Sequence, residues 1–323
     1  MRIISFLVSA VRVGMSFLLG STGETITEKS GHLNLGIPGI MCVGAACGCI
    51  CESVYINACG GIAGVTDFWA VALPVLAAFL GGGLMGLIYS FLTVTLRANQ
   101  NVTGLAITTL GTGISNYMIA QVSGIAGSSY AQASRIFTKG LPFADRLGGF
   151  GKLFLSYGPL VYLAIAIALV ASYVLSHTRI GLNLRAVGEN PATADAAGIN
   201  VMKYRYAATV IGSGIAGIGG LCYIMDNLNG GWEYTIDAIG WLAIALVIFT
   251  LWKPNLGILG SIVFGAFYVV SSYITGVAFN VKALIKMLPY VMTLVVLVFT
   301  SFARKKENQP PEGLGLPYFR EDR

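Results

Sequence analysis

The stretch Phe68-Trp69-Ala70-Val71-Ala72-Leu73-Pro74-Val75-Leu76-Ala77-Ala78-Phe79-Leu80-Gly81-Gly82-Gly83-Leu84-Met85-Gly86-Leu87-Ile88-Tyr89-Ser90-Phe91-Leu92-Thr93-Val94-Thr95 contains no charged side chain. A helix that crosses a bilayer needs roughly 20 mostly apolar residues, and this stretch is longer than that. Residues 153–175 are equally free of charge. Outward from these two, further apolar stretches lie at 3–20, 36–56, 102–122, 205–225, 237–252, 255–275 and 283–303, which makes nine in all. Gly, Ala and aromatic residues are scattered through them, as expected where helices pack on helices in lipid. Strands of a membrane barrel would alternate apolar and polar residues over about ten positions, and no such alternation is visible. Composition agrees. The 323 residues are 55% hydrophobic and 11% charged, against about a quarter charged in soluble domains. That excludes a disordered chain and a nucleic-acid-binding domain, and it argues against a cytosolic enzyme. The fold class is all-α, a polytopic membrane protein.

The charges between spans give the orientation. Arg179, Arg185, Lys203 and Arg205 lie in the 176–205 connection, Arg304-Lys305-Lys306 open the C-terminal tail, and Arg97 and Lys253 mark two turns. The 52–67 and 226–237 connections carry only acids: Glu52, Asp67, Asp226, Glu233 and Asp237. Basic connections face the cytoplasm, so the C-terminus is expected there. Against the trend, Arg135, Lys139, Arg146, Lys152, Lys282 and Lys286 fall on the outer side. Nine spans would leave the N-terminus outside, whereas Arg2 and Arg12 argue for the inside. A tenth, broken crossing over the polar segment 21–35 removes the conflict, and about ten transmembrane helices are expected. The alternative keeps nine spans with 21–35 as a cytoplasmic loop. Irregular polar backbone at membrane depth must be buried in protein or line a cavity. A cleaved signal peptide is disfavoured, because Arg12 interrupts the apolar run and no A-x-A-like site follows. The expected division is a transmembrane domain over 1–303 and a cytoplasmic tail over 304–323.

Residues 34–45 and 255–266 share seven of twelve positions, opening Asn34-Leu35-Gly36-Ile37 and Asn255-Leu256-Gly257-Ile258. A parallel internal repeat would produce this, since duplicated halves are common in transporters. Chance likeness between Gly/Leu/Ile/Ala-rich helices would produce it too.

Much chemistry is missing. Gly148-Gly149-Phe150-Gly151-Lys152 lacks the spacing of a phosphate-binding loop. The run Gly212-Ser213-Gly214-Ile215-Ala216-Gly217-Ile218-Gly219-Gly220 lies within a span, where small residues four apart suit close helix packing. Cys42, Cys47, Cys49, Cys51 and Cys59 are not spaced as a metal site, Cys222 stands alone, and the histidines are His32 and His177. No metal site is expected. Cys51 and Cys59 near the outer face leave a disulfide open. Glu24, Glu28 and Lys29 form the one intramembrane charge cluster. Such residues are functional candidates by default, while an ion pair holding the broken helix is the plainer reading.

The 176–205 connection is the most informative. Asn190 is placed to cap a short helix that starts at Pro191, and Gly198 is placed to end it in a left-handed conformation. A short capped helix with an Ala-rich face, projecting between two spans, suits docking of a partner. Its Gly188-x-Asn190-x-x-x-Ala194-x-x-Ala197-Gly198-Ile199 pattern resembles the coupling loop of bacterial ABC-importer permeases of the ribose and branched-chain amino-acid type. Gly23-Glu24-x3-Glu28-Lys29-Ser30-Gly31-x2-Asn34-x-Gly36 resembles a signature of the nucleoside and simple-sugar branch, and 213–220 is similar to that branch's small-residue helix. The likeness runs from about residue 12 to 303. Pro38 departs from it, standing where an acidic residue is expected.

The resemblance implies a pore-forming permease subunit of an ATP-driven importer for a nucleoside or simple sugar, in a bacterial plasma (inner) membrane. Such a chain is not an enzyme and needs no cofactor of its own. A partner ATPase subunit would bind ATP and grip the coupling helix, here Arg185, Gly188, Asn190, Pro191, Ala194, Ala197 and Gly198. A second permease, usually a different chain, would complete the pore, and an extracytoplasmic binding protein, often a lipoprotein, would deliver substrate. Membrane lipid is the remaining partner and nucleic acid is not one. Glu24, Asn34, Asn116, Tyr117 and Gln121 are the expected translocation-pathway residues, each of which also suits interhelical hydrogen bonding. The rival reading is a stand-alone secondary transporter or channel for a small polar solute.

Overall fold

A computed structural model describes residues 2–126, 129–140, 148–232, 236–274, 279–303 and 309–319. Every regular element among them is helical. The chain runs α1 (Arg2–Glu28), α2 (Ile37–Ala58), α3 (Asp67–Ser90, continued by a π turn over Phe91–Thr95) and α4 (Gln100–Ala126). Two short helices, α5 (Ser129–Thr138) and α6 (Gly148–Phe154), lead to α7 (Pro159–His177). The informative connection forms α8 (Arg179–Glu189) and α9 (Pro191–Ala196) ahead of α10 (Val201–Cys222), which ends in a second π turn over Tyr223–Asn227. The chain then forms α11 (Asp237–Phe249), α12 (Pro254–Tyr273), α13 (Phe279–Lys286) and α14 (Leu288–Ala303).

Each of the nine apolar stretches forms a helix over most of its described length. Among the described residues, seven helices are both long and apolar enough to cross a membrane. To these α4 adds length with a more polar surface, and α11 adds an apolar helix of 13 residues. The 22 residues of α2 would span about 33 Å at 1.5 Å per residue, close to the thickness of a hydrocarbon core. The multi-pass architecture therefore follows from apolar length.

The centre of the bundle is α10. Its small-residue run puts backbone against backbone on three sides. A Cβ at Gly212 would collide with the carbonyl of Gly23 in α1. One at Gly217 would meet the Ala78 carbonyl and stand 3.1 Å from the Cα of Gly82 in α3 and 3.3 Å from that of Gly44 in α2. Lipid tails are as apolar as leucine, so helices in a bilayer associate through close van der Waals fit rather than by escaping water. The glycine run is a seam of that kind.

The same packing orients the helices and corrects one expectation. Gly23 lies beside Gly212 and Gly219 beside Ser16, so α1 and α10 are antiparallel. Gly14 lies beside Ser261 and Gly265 beside Ala10, so α1 and α12 are antiparallel as well. The start of α1 therefore sits with the end of α12, where the Ser9 and Tyr273 hydroxyls are 3.0 Å apart. That face is opposite the 29–36, 176–205 and 251–253 segments. The polar segment 21–35 is not a separate broken crossing. Residues 21–28 complete α1, and 29–36 join it directly to α2. Arg12 misled the topology reading because it is no loop charge: its Nε donates to Asp226 Oδ2 at 3.0 Å and Nη2 to Oδ1 at 3.1 Å, inside the bundle.

Other expectations resolve here too. Helices α2 and α12, which carry the two echoing sequences, enter from the same face. Asn34 precedes α2 in irregular backbone, however, while Asn255 lies in the first turn of α12, its Oδ1 accepting from the Leu256 amide at 2.9 Å. The six cysteines are free thiols. Arg146, Glu233 and Arg304-Lys305-Lys306 lie outside the described residues.

Gly217→Val should therefore lower stability by about 1–3 kcal/mol or more through overpacking. Gly113→Val, where nothing lies within 4 Å of the added carbon, should leave it unchanged. Thermal unfolding of the detergent-solubilised protein distinguishes the two.

Candidate functional site

The helical course of α1 stops because Gly31 turns with φ of +80°, a left-handed conformation that glycine adopts without steric cost. The amides of Lys29, Ser30 and Gly31 still bond back to the carbonyls of Thr25, Thr27 and Glu28 at 2.9–3.0 Å. Beyond them the backbone is extended and buried, and it returns alongside the last turns of α1. Neighbouring side chains satisfy it in place of helix bonds. The Leu33 amide donates to Gln100 Oε1 at 2.8 Å, the Asn34 amide to Glu24 Oε1 at 2.9 Å and the Gly36 amide to Asn34 Oδ1 at 2.9 Å. The Tyr89 hydroxyl donates to the Leu33 carbonyl, and Thr108 Oγ1 donates to the Leu35 carbonyl at 2.8 Å. His32 Nδ1 and Thr209 Oγ1 are 2.9 Å apart. Glu28 accepts from Trp252 Nε1, which holds the 251–253 turn although Leu251 and Trp252 both adopt φ of +55°. Left-handed backbone costs an L-residue roughly 1–2 kcal/mol, so that turn needs such an anchor.

The second part of the site is the 178–200 connection, a series of caps. Thr178 Oγ1 accepts from the Gly181 amide at 3.1 Å and starts α8. Asn190 Oδ1 accepts from the Thr193 amide at 3.0 Å with Pro191 following, which starts α9 as its sequence implied. Gly198 ends α9 with φ of +83°, and Asn200 Oδ1 caps α10 through the Lys203 amide at 2.9 Å. The cluster does not present all its alanines outward. Ala194 is 3% exposed and packs with Val187 and Val201, whereas Arg185, Asn190, Thr193, Ala196, Ala197 and Gly198 face outward. Ala194 thus fixes the helix to the bundle. Arg179–Glu189 also folds, as α8, where the sequence implies a connection with one short helix.

The two parts touch. A Cβ on Gly188 would collide with the Lys29 carbonyl and stand 3.0 Å from the Gly31 amide. Glycine at 188 therefore lets the end of α8 lie flat on the break between α1 and α2. Burial lowers the pKa of the Lys29 ammonium at this junction, and Glu189 opposes the shift.

The expected pathway residues fall into two groups. Glu24 and Asn34 are 0% exposed and serve the backbone of the break. Glu24 and Glu28 engage the Asn34 amide and the Trp252 indole rather than forming the ion pair with Lys29 that the sequence suggested. Asn116, Tyr117 and Gln121 lie on α4, in its second half. Tyr117 is 67% exposed and Gln121 is exposed, while Asn116 is half-buried and accepts from Trp232 Nε1 at 2.9 Å. Thr109, Gly113, Tyr117 and Gln121 follow one another at four-residue steps along the exposed side of α4, which keeps them within about a third of a turn of one another. Among residues the sequence reading did not pair, Arg12 and Asp226 are the most consequential. A lone arginine inside an apolar stretch, facing an acid at the end of another, was the available signal.

Glu24→Ala strips a buried amide of its acceptor and should cost about 1–3 kcal/mol, while Glu24→Gln, which keeps an oxygen there, should cost less. Chemical or thermal unfolding in detergent measures both.

The likeness to known proteins covers nearly the whole chain. The family described as "Branched-chain amino acid transport system / permease component" matches residues 6–297. The nucleoside ABC transporter permease protein NupC of Lactococcus lactis is 34% identical over 283 residues, which are 86% of each chain. The guanosine ABC transporter permease protein NupQ of Bacillus subtilis is 32% identical over 329 aligned positions, covering 99% of this chain and 98% of that one. In fold, the chain is similar to a protein described as a metal-chelate type ABC transporter in an inward-facing conformation, with a TM-score of 0.52 and 12% identity over 91% of this chain and 85% of that one. The chain belongs to the permease-component family of branched-chain amino acid transport systems, and it is a membrane-spanning permease subunit of an ABC importer.

Proposed function

We propose that the chain forms half of the translocation pore of a nucleoside importer, driven through α9 by an ATPase carried on a separate subunit. The observation that bears most weight is the seating of Gly188 on Lys29–Gly31. It joins an exposed, capped helix to the one irregular break between the first two spans. A push on α9 reaches α1 and α2 through packed backbone. NupC is described as a nucleoside permease and NupQ as a guanosine permease, which supports a nucleoside as substrate; a simple sugar is the neighbouring alternative.

In this reading the face carrying α9 is cytoplasmic, with the C-terminal tail on the same side and the N-terminus outside, in a bacterial plasma membrane. A second permease, a different chain, packs across the exposed face of α4. Tyr117 and Gln121, with Thr109 on the same side of α4, border the path between them, and Asn116 is held back against Trp232. An extracytoplasmic binding lipoprotein delivers the nucleoside, and ATP stays with the partner ATPase. Substrate then meets dispersed polar groups on α4 rather than a tight site, which suits rapid release into the cell.

Two outcomes are expected. Ala197→Trp, on the outward face of α9, should leave the chain folded and in the membrane while lowering uptake at least tenfold relative to ATP hydrolysed. Wild-type uptake per ATP in that variant would refute the coupling role. Tyr117→Ala should change the uptake rate or its nucleoside preference, with the melting temperature unchanged because the side chain makes little packing contact. Both are read in proteoliposomes holding the permease pair and the ATPase, with the binding protein supplied from outside.

A further inference from the structure

The end of the chain is not a loose tail. Residues 309–319 come back to the coupling face and lie across it, with Pro311 and Gly313 buried. The Gly313 amide donates to the Gly188 carbonyl at 2.9 Å, and the Gly315 amide donates to the Gly31 carbonyl at 3.2 Å. Two glycines that already touch each other are thus tied a second time through one short strand. Arg205, buried at the foot of α10, donates from Nη1 to the Leu316 carbonyl at 3.3 Å. The Tyr318 hydroxyl donates to Asp195 Oδ2 of α9 at 2.8 Å. At the far end the Arg97 guanidinium, in the turn between α3 and α4, lies 4.7 Å over the Phe319 ring. Internal bonds from Leu314 to Pro311 and from Leu316 to Gly313 shape the strand into a compact turn.

The contacts fall on five separate places. Gly313 is fixed to α8, the middle residues Gly315 and Leu316 to the break between α1 and α2 and to α10, and the last residues to α9 and to the entry of α4. A solvated tail has no reason to hydrogen-bond the backbone of two distant glycines and the side chain of an exposed helix at once. A disordered tail would also lose conformational freedom of about 1–2 kcal/mol for every residue fixed, so the docking must be supported by these bonds acting together.

We propose that Glu312–Phe319 is a clasp that positions α9, with Gly313 and Tyr318 as its positioning residues, so that movement imposed on α9 is delivered to α1, α2 and α4 rather than lost at the loop. The proposal rests on α9 being the element the ATPase grips. Gly188 alone gives contact under compression. The clasp adds hydrogen bonds that also hold under tension, so α9 can pull as well as push.

The test uses the complete transporter in proteoliposomes, with uptake of radiolabelled guanosine and ATP hydrolysis measured on the same vesicles. Tyr318→Phe removes a single hydroxyl from a half-exposed side chain, and deletion of residues 310–323 removes the whole clasp. Each should lower guanosine taken up per ATP by about threefold or more, a factor within the net worth of an ordinary hydrogen bond. Subunit stoichiometry and melting temperature should stay at wild-type values for Tyr318→Phe. Asp195→Asn keeps an acceptor for Tyr318 and should stay coupled, whereas Asp195→Ala should match Tyr318→Phe, with the double variant no worse than either. A purely structural tail would shift melting temperature without this pattern in the coupling ratio. Ala197→Trp runs alongside as the control for the coupling reading. If that variant stays fully coupled, or wild-type vesicles take up no guanosine, the reading of α9 or of the substrate fails and the clasp falls with it. If Ala197→Trp uncouples while Tyr318→Phe and the deletion keep the wild-type ratio, the clasp alone is overturned.

Discussion

A backbone amide or carbonyl buried inside protein has no water to turn to, and each one left unpaired costs about 1–3 kcal/mol. Residues 29–36 meet that constraint without a helix. Glu24, Tyr89, Gln100 and Thr108 each supply one hydrogen bond to a peptide group of the stretch, and Asn34 supplies one to its own neighbour. These side chains come from α1, α3 and α4, so the break cannot form until three helices are in place around it. Most of the remaining design follows. The glycine seam of α10 brings the helices close enough for short side chains to reach, and the flat face of Gly188 reaches a break already made rigid.

The coupling proposed for α9 requires rigidity. A soft junction between α9 and the spans would absorb an imposed displacement as local bending. Here the junction is glycine against backbone on one side and a strand of hydrogen bonds on the other. Packed interiors respond to a push by shifting as units rather than by deforming gradually. Helix α4 begins at the buried Gln100, whose side chain holds Leu33, so the same break abuts the helix that carries Tyr117 and Gln121.

Much of this was legible beforehand, and the reasons differ from element to element. Apolar length alone identified the nine stretches, because hydrocarbon thickness is a one-dimensional constraint that a sequence displays directly. Asn190, Pro191 and Gly198 located α9 because capping acts over three or four residues. The packing role of Gly212–Gly220 was visible because small residues four apart have few other uses in a span. Arg12 could not be read correctly alone: a loop charge and a buried ion pair look identical until Asp226 is brought to it from far along the chain. Glu24 and Asn34 suffered the same way. Intramembrane polar groups suggest a path, but what decides their role is whether a helix bond is missing nearby. The burial of Ala194 depended on α8, whose existence a polar, Gly-containing connection did not announce. Local rules carried the helices and caps; long-range pairing decided which polar residues serve the scaffold.

The Arg12–Asp226 pair separates its partners by 214 positions, and that distance bears on how the protein enters the membrane. Ribosomes deliver α1 long before α10 exists. Until Asp226 arrives, the first helix holds an unmatched guanidinium, worth at least about 2.5–3.5 kcal/mol against insertion at mid-bilayer. The first helix is therefore a provisional guest, free to sit shallow or to linger beside the insertion machinery while the next four long helices, α2, α3, α4 and α7, are made. Its final depth is settled by a residue translated when two-thirds of the chain has already emerged. A nascent chain that stalls before that point would leave its leading helix uncommitted, and quality-control proteases would have an exposed handle by which to recognise it.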